Sequence, residues 1–200
     1  PSRIAASHAL GAATQVVPGA WDESHAAAEE HARGAGLAYV HPFSDEDVIR
    51  GQGTIMHELL LDGIHPDIVL ASVGGGGLLS GVARYGRALF PSARFYGVQT
   101  EGADAMSQAL SAGQPVRIDR ISSVADSLGA KMVTPLTLGY VQQYAETVVR
   151  VPDSEAIQAV LDLLQHEKVW VEPAGGCTLA ALPKVLELEK RDEPLNVVVI

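Results

Sequence analysis

Two spacings of apolar residues alternate along this chain. Short β-rich runs at 13–17, 38–41, 67–73, 94–99, 147–151 and 195–200 read as strands, and the segments between them carry helical periodicity. Asp22 is placed to cap a helix that runs through Arg33 and stops at Gly34. A second helix covers 47–61 and ends at Gly63, and Asp153 is placed to cap a third that reaches Gln165. This alternation predicts an α/β fold, an open parallel sheet with helices on both faces. The run DIVLASV at 67–73 is almost wholly apolar, as expected of a central strand covered on both sides. The pattern fails over 117–134, RIDRISSVADSLGAKMVT, which reads as a long irregular connection. Trp21, Trp170 and the stretch VLDLLQHEKVW read as core residues.

The segment SVGGGGLLSGV, residues 72–82, lies between the apolar strand and a helix expected to start near Leu78. Four successive glycines let the backbone approach a ligand closely. Their amides and the helix N-terminus then suit a dianionic phosphate. No Lys-Ser/Thr pair follows the glycines, as a P-loop requires, and neither register completes GxGxxG. Nucleotides are therefore disfavoured. In open parallel sheets, ligands bind at the carboxyl ends of strands, where this loop lies.

Composition narrows the classes further. With 24 acidic against 14 basic side chains the formal net charge is −10, which opposes binding to nucleic acid or to an anionic membrane. Cys177 is the only cysteine, so no intrachain disulfide forms, and a reducing cytoplasm is the expected compartment. It sits in EPAGGC near an expected helix start, where the reading favours a small buried residue over a reactive thiolate. The seven histidines show no metal-ligand spacing.

Five segments together resemble the fold-type-II pyridoxal-phosphate enzymes, which share the tryptophan synthase β-like fold. They are RIAASHALGAATQVV, YVHPFSDEDVIRGQGTIMHEL, SVGGGGLLSGV, ISSVADSLGA and WVEPAGGCTLAAL, and they span nearly the whole chain. Within that group the likeness is to the L-serine dehydratase and threonine deaminase family, and SVADSLGA is closer to the serine dehydratase form. The resemblance implies a cytoplasmic homodimeric lyase. It would convert L-serine or L-threonine to ammonia and pyruvate or 2-oxobutanoate. It implies that the amides of Gly74, Gly75, Gly76, Gly77 and Leu78 hold the phosphate of pyridoxal 5′-phosphate. It also implies that the carbonyls of Gly74, Ala103, Leu128 and Ala130 surround a potassium or sodium ion. A divalent ion is not expected, because Gln99 and Ala105 stand where some relatives supply carboxylates. A serine racemase, another lyase of the same fold and a noncatalytic fragment are the alternatives.

The same resemblance makes the chain read as truncated at both ends. Residues 1–39 are expected to be a remnant of the small domain and 40–200 an incomplete large domain. The family's Schiff-base lysine is expected upstream, since Lys131, Lys168, Lys184 and Lys190 all lack its serine-rich context. No catalytic residue is therefore assigned within the chain, and these 200 residues alone are expected not to deaminate serine.

Overall fold

The structure is a computed structural model that describes residues 2–19, 21–191 and 193–200. The chain divides into two compact units, Pro1–Val40 and His41–Ile200. In the first unit, α1 (Ser2–Ala9) and α2 (Trp21–Ala35) are joined by an irregular segment. Asp22 lies in the first turn of α2, and the Trp21 ring stacks on His25 with centroids 4.8 Å apart. The His25 Nδ1 and the Tyr39 hydroxyl are hydrogen-bonded at 2.7 Å. The strands expected at 13–17 and 38–41 are not formed. A strand exists through its ladder with a neighbour, and among the described residues neither segment has one. Val16 and Val40 accordingly stay 71% and 65% exposed.

The second unit is built on four parallel strands in the order β3-β2-β1-β4: β1 (Ile68–Ser72), β2 (Arg94–Thr100), β3 (Thr147–Val151) and β4 (Val197–Val199). Residues along β1, and Val73 just after it, alternate between two cores. Val69, Ala71 and Val73 face a layer that includes α4 (Thr54–Leu61), α5 (Gly77–Leu89), α6 (Ala105–Ala112) and α7 (Pro135–Tyr144). Ile68 and Leu70 face α8 (Asp153–Asp162), α9 (Pro173–Ala180) and α10 (Leu182–Glu189). This is the strand covered on both sides that its composition predicts. In β2, Gly97 stands opposite Ala71, and a Cβ there would lie 2.7 Å from Leu79 and 2.8 Å from both Val73 and Val148.

Three expected helices depart from their limits, and the first, α2, holds Asp22 inside its first turn and runs past Gly34 to Ala35. The segment 47–61 forms two helices, α3 (Glu46–Gln52) and α4, and the cap of the first is Asp45, whose carboxylate accepts from the N–H groups of Asp47 and Val48. The break falls at Gly53, where a Cβ would lie 2.7 Å from the Tyr85 ring. Helix α8 continues as a π-helical turn, Leu163–Glu167, which ends at Lys168 in the left-handed region with φ +61°. Trp170 is 76% exposed, and Leu161, Leu164 and Val169 are also exposed, so of the VLDLLQHEKVW stretch only Val160 is buried in the core. Its apolar residues keep helical spacing, yet no described element covers that side.

Helix α5 crosses α3 at backbone distance, because a Cβ at Gly81 would lie 2.1 Å from the Ile49 carbonyl and 2.8 Å from the Gly53 nitrogen. Alanine in place of a helical glycine gains up to about 1 kcal/mol of helix propensity. Here the clash is with main chain, which cannot swing aside, and overpacking of that kind costs about 1–3 kcal/mol. Gly81→Ala is therefore expected to destabilise the protein, read as a lower midpoint in urea with an unchanged slope.

Candidate cofactor site

Strand β1 ends at Ser72, and the four glycines turn the chain into α5. Gly76 is the N-cap residue with φ +95° and ψ −2°, a left-handed conformation that favours glycine. Its carbonyl accepts from the Ser80 N–H at 2.9 Å and from the Ser80 hydroxyl at 2.6 Å, which fixes the first turn. The amides of Gly74, Gly75, Gly76, Gly77 and Leu78 find no acceptor among the described residues. Five consecutive donors thus lie at the carboxyl end of a central strand and the start of a helix.

The surroundings leave no room for side chains in this turn. An ideal Cβ on Gly75 would lie 2.4 Å from the Phe43 ring, one on Gly77 2.7 Å from the Phe43 carbonyl, and one on Gly76 2.5 Å from Met106 Cε. Phe43 is held by a compact turn in which His41 Nδ1 accepts from the N–H groups of Phe43 at 3.2 Å and Ser44 at 2.9 Å. That acceptor role means Nδ1 carries no proton. The Ser44 hydroxyl pairs with Thr134 Oγ1 at 2.7 Å, and Thr134 caps α7. Deeper into α3, the Tyr140 hydroxyl donates to Glu46 Oε1 at 2.6 Å, and Arg84 donates to both Tyr140 and Glu46. The Tyr140 hydrogen bond, helped by Arg84, holds the Glu46 carboxyl below its usual range. One face of the loop is thereby tied to α3, α5 and α7.

On its other side the loop meets the irregular connection 117–134. A Cβ on Gly74 would lie 3.2 Å from Leu128 Cα and 3.4 Å from the Leu128 carbonyl oxygen. Leu128 closes a short 3₁₀ turn, Asp126–Leu128, and its carbonyl accepts from the Ala130 N–H at 2.8 Å. This connection is irregular but pinned. Asp153 at the start of α8 accepts from the Ser123 hydroxyl and the Val124 N–H, and the buried Thr100 donates to Ser123. The Ser127 hydroxyl donates to Glu172, the residue that precedes α9. Ala103 and Ala130 are both buried, one in the 3₁₀ turn Glu101–Ala103 and the other just past Leu128.

The lysines sit elsewhere. Lys168 donates to the Gln165 carbonyl, Lys184 to the Arg150 carbonyl and Glu155, and Lys190 is an exposed helix-end residue. Lys131 is half-buried, and its carbonyl accepts from the Ile118 N–H. Cys177 is fully buried in α9, its thiol donates to the Ala174 carbonyl at 3.0 Å, and burial pushes its pKa up to about 12. It is the small core residue the sequence favours, not a nucleophile.

A family model described as "Pyridoxal-phosphate dependent enzyme" matches residues 1–200. This chain belongs to that family. Among curated relatives, it is 35% identical over 188 residues to the L-threonine ammonia-lyase of Thermotoga maritima, a match that covers 94% of this chain and 47% of the relative. The structure of the processed form of threonine deaminase isoform 2 from Solanum lycopersicum superposes with a TM-score of 0.90 at 29% identity, over 98% of this chain and 54% of that one. Maize serine racemase superposes with a TM-score of 0.88 at 26% identity, over 99% of this chain and 61% of that one. The chain spans about half the length of the Thermotoga relative. Sequence reasoning missed two residues that contact the glycine turn or its edge: Phe43, which packs on the glycines, and Gln99, whose amide donates to the Val73 carbonyl. Phe43 carries no local signal, because its partner glycines lie more than thirty residues on. Gln99 reads from sequence only as a missing carboxylate, although a polar residue at the end of the apolar run FYGVQ is itself a signal.

Proposed function

We propose that this chain supplies the phosphate-binding part of a pyridoxal-phosphate ammonia-lyase that acts on L-threonine and L-serine. The observation that carries the reading is the row of amides from Gly74 to Leu78, which have no acceptor among the described residues in a turn that admits no side chain. Neutral donors converging on a helix N-terminus suit a dianionic phosphate. The likeness to the Thermotoga L-threonine ammonia-lyase and the superposition on a threonine deaminase favour this activity, and they weight threonine more than SVADSLGA does on its own.

When bound, the cofactor supplies the electron sink for loss of the substrate's α-proton and β-hydroxyl, with ammonia and a keto acid as products. The residues of this chain bind and orient. Gly74, Gly75, Gly76, Gly77 and Leu78 grip the phosphate, while Phe43 and Met106 wall the turn against collapse. The carbonyls of Gly74, Ala103, Leu128 and Ala130 are read as the shell of a monovalent cation, for which neutral oxygens suit potassium or sodium better than magnesium. The contact of Gly74 with Leu128 and the burial of Ala103 and Ala130 support that reading. The division after Val40 supports assigning 1–39 to the small domain and 40–200 to the large one. A homodimer in the cytoplasm completes the reading. Among the described residues, no helix is long and apolar enough to cross a membrane.

The natural full-length protein, loaded with pyridoxal phosphate and given L-threonine or L-serine, is expected to release 2-oxobutanoate or pyruvate. Accumulation of D-serine without keto acid would favour the racemase. Gly76→Val places a β-branched residue at positive φ against Met106, and it is expected to raise the dissociation constant for pyridoxal phosphate on the order of a hundredfold. Unchanged affinity in a folded variant would remove the phosphate assignment. Turnover is expected to rise with potassium at constant ionic strength; dependence on magnesium with indifference to potassium would eliminate the carbonyl shell.

A further inference from the structure

Gln99, the penultimate residue of β2, is fully buried, and all of its side-chain hydrogen bonds are directed at the surroundings of the glycine turn. Its partners force its orientation. Nε2 donates to the Val73 carbonyl at 3.0 Å, and Oε1 accepts from the Ser107 N–H at 2.9 Å and from the Ser107 hydroxyl at 3.1 Å. The Val73 carbonyl and the Gly74 N–H belong to one peptide unit, which is planar and trans, so a donor fixed on the oxygen fixes the line along which the N–H points away. The same hydrogen bond polarises the unit and strengthens the N–H as a donor. At the other end of the amide, Ser107 follows Met106, whose Cε lies against the Gly76 position.

We propose that Gln99 is a positioning residue for the cofactor phosphate. It aims the Gly74 amide through the Val73–Gly74 peptide and, through Ser107, seats Met106 beside Gly76. This rests on the cofactor reading given above and adds to it the residue that orients the first of the phosphate donors. A neutral carboxamide meets both demands at every pH, because one end donates to a carbonyl while the other accepts from an N–H. A carboxylate would set an acceptor against the Val73 oxygen, whereas its protonated form could donate again.

The test uses the natural full-length protein and reads two quantities: the dissociation constant for pyridoxal phosphate and the melting temperature of the cofactor-free form. Gln99→Glu keeps the side chain's shape. Its dissociation constant, taken relative to wild type at each pH so that titration of the phosphate cancels, is expected to rise about tenfold between about pH 5 and about pH 9 as the introduced carboxyl ionises. Gln99→Leu, which lacks both groups, is expected to show a similar loss that does not vary with pH. Ser107→Ala, which removes only the hydroxyl contact, is expected to lose less. If cofactor-free Gln99→Glu melts lower yet binds pyridoxal phosphate as wild type does at both ends of the range, Gln99 merely fills the core and the proposal is overturned. Should Gln99→Leu fail to fold, Gln99→Glu decides the matter. Wild-type protein that does not bind pyridoxal phosphate at all would overturn the cofactor reading itself, an outcome distinct from a variant that binds normally.

Discussion

A polypeptide can present several successive N–H groups to one point only where side chains stay out of the way, and around residues 74–77 the chain has closed in until none fits. Phe43, Met106 and Leu128 come from three separate stretches; Phe43 and Met106 occupy the space a Cβ would need at residues 75–77, and Leu128 packs tightly against Gly74. The amides they enclose have no acceptor among the described residues, although Gly76 and Gly77 are buried. Leaving a buried donor without a partner costs about 1–3 kcal/mol, which an anionic ligand in the turn would offset. The site is in this sense built before it is filled.

Much of the remaining architecture keeps those walls in place. The break at Gly53 and the backbone contact at Gly81 bring α3 against α5, so that the turn at His41 delivers Phe43 to the glycines. The Glu46, Arg84 and Tyr140 cluster ties α3, α5 and α7 together on the same side. On the other side Asp153 anchors Ser123 and Val124, and the connection that follows places Leu128 against Gly74. These are polar contacts between partly exposed or loop residues, individually weak, and they act by restricting where a loop can go.

What could be read from sequence follows the range of the interactions involved. The strands at 68–72, 94–100 and 147–151 and the glycine turn carry local signals: an apolar run, a helix start, a change of period. Segments 13–17 and 38–41 carry a similar local signal, but a strand is a property of a pair, and the pair is not legible in one member. Helical spacing in VLDLLQHEKVW likewise shows which residues share a face without showing whether anything covers it. The break at Gly53 depends on Tyr85, and the role of Phe43 depends on residues far along the chain, so neither can be seen in a local window. Gln99 is an intermediate case, since burial of a polar group demands partners but does not name them.

The double-sided burial of β1 has a consequence for how the sheet finds its alignment. Where one face of a strand is wet, sliding by a single residue turns apolar side chains into water, and hydrophobicity alone rejects the error. For β1, a slip would exchange Ile68 and Leu70 with Val69 and Ala71 and leave apolar groups on both faces. Shape must supply the discrimination. Ala71 lies opposite Gly97, where Leu79, Val73 and Val148 converge on space that a methyl group would fill. Any shifted pairing would bring a larger neighbour toward that point and displace the glycine turn from Phe43. The small residues Ala71 and Gly97 therefore act as the alignment key of the strand that leads into the glycine turn.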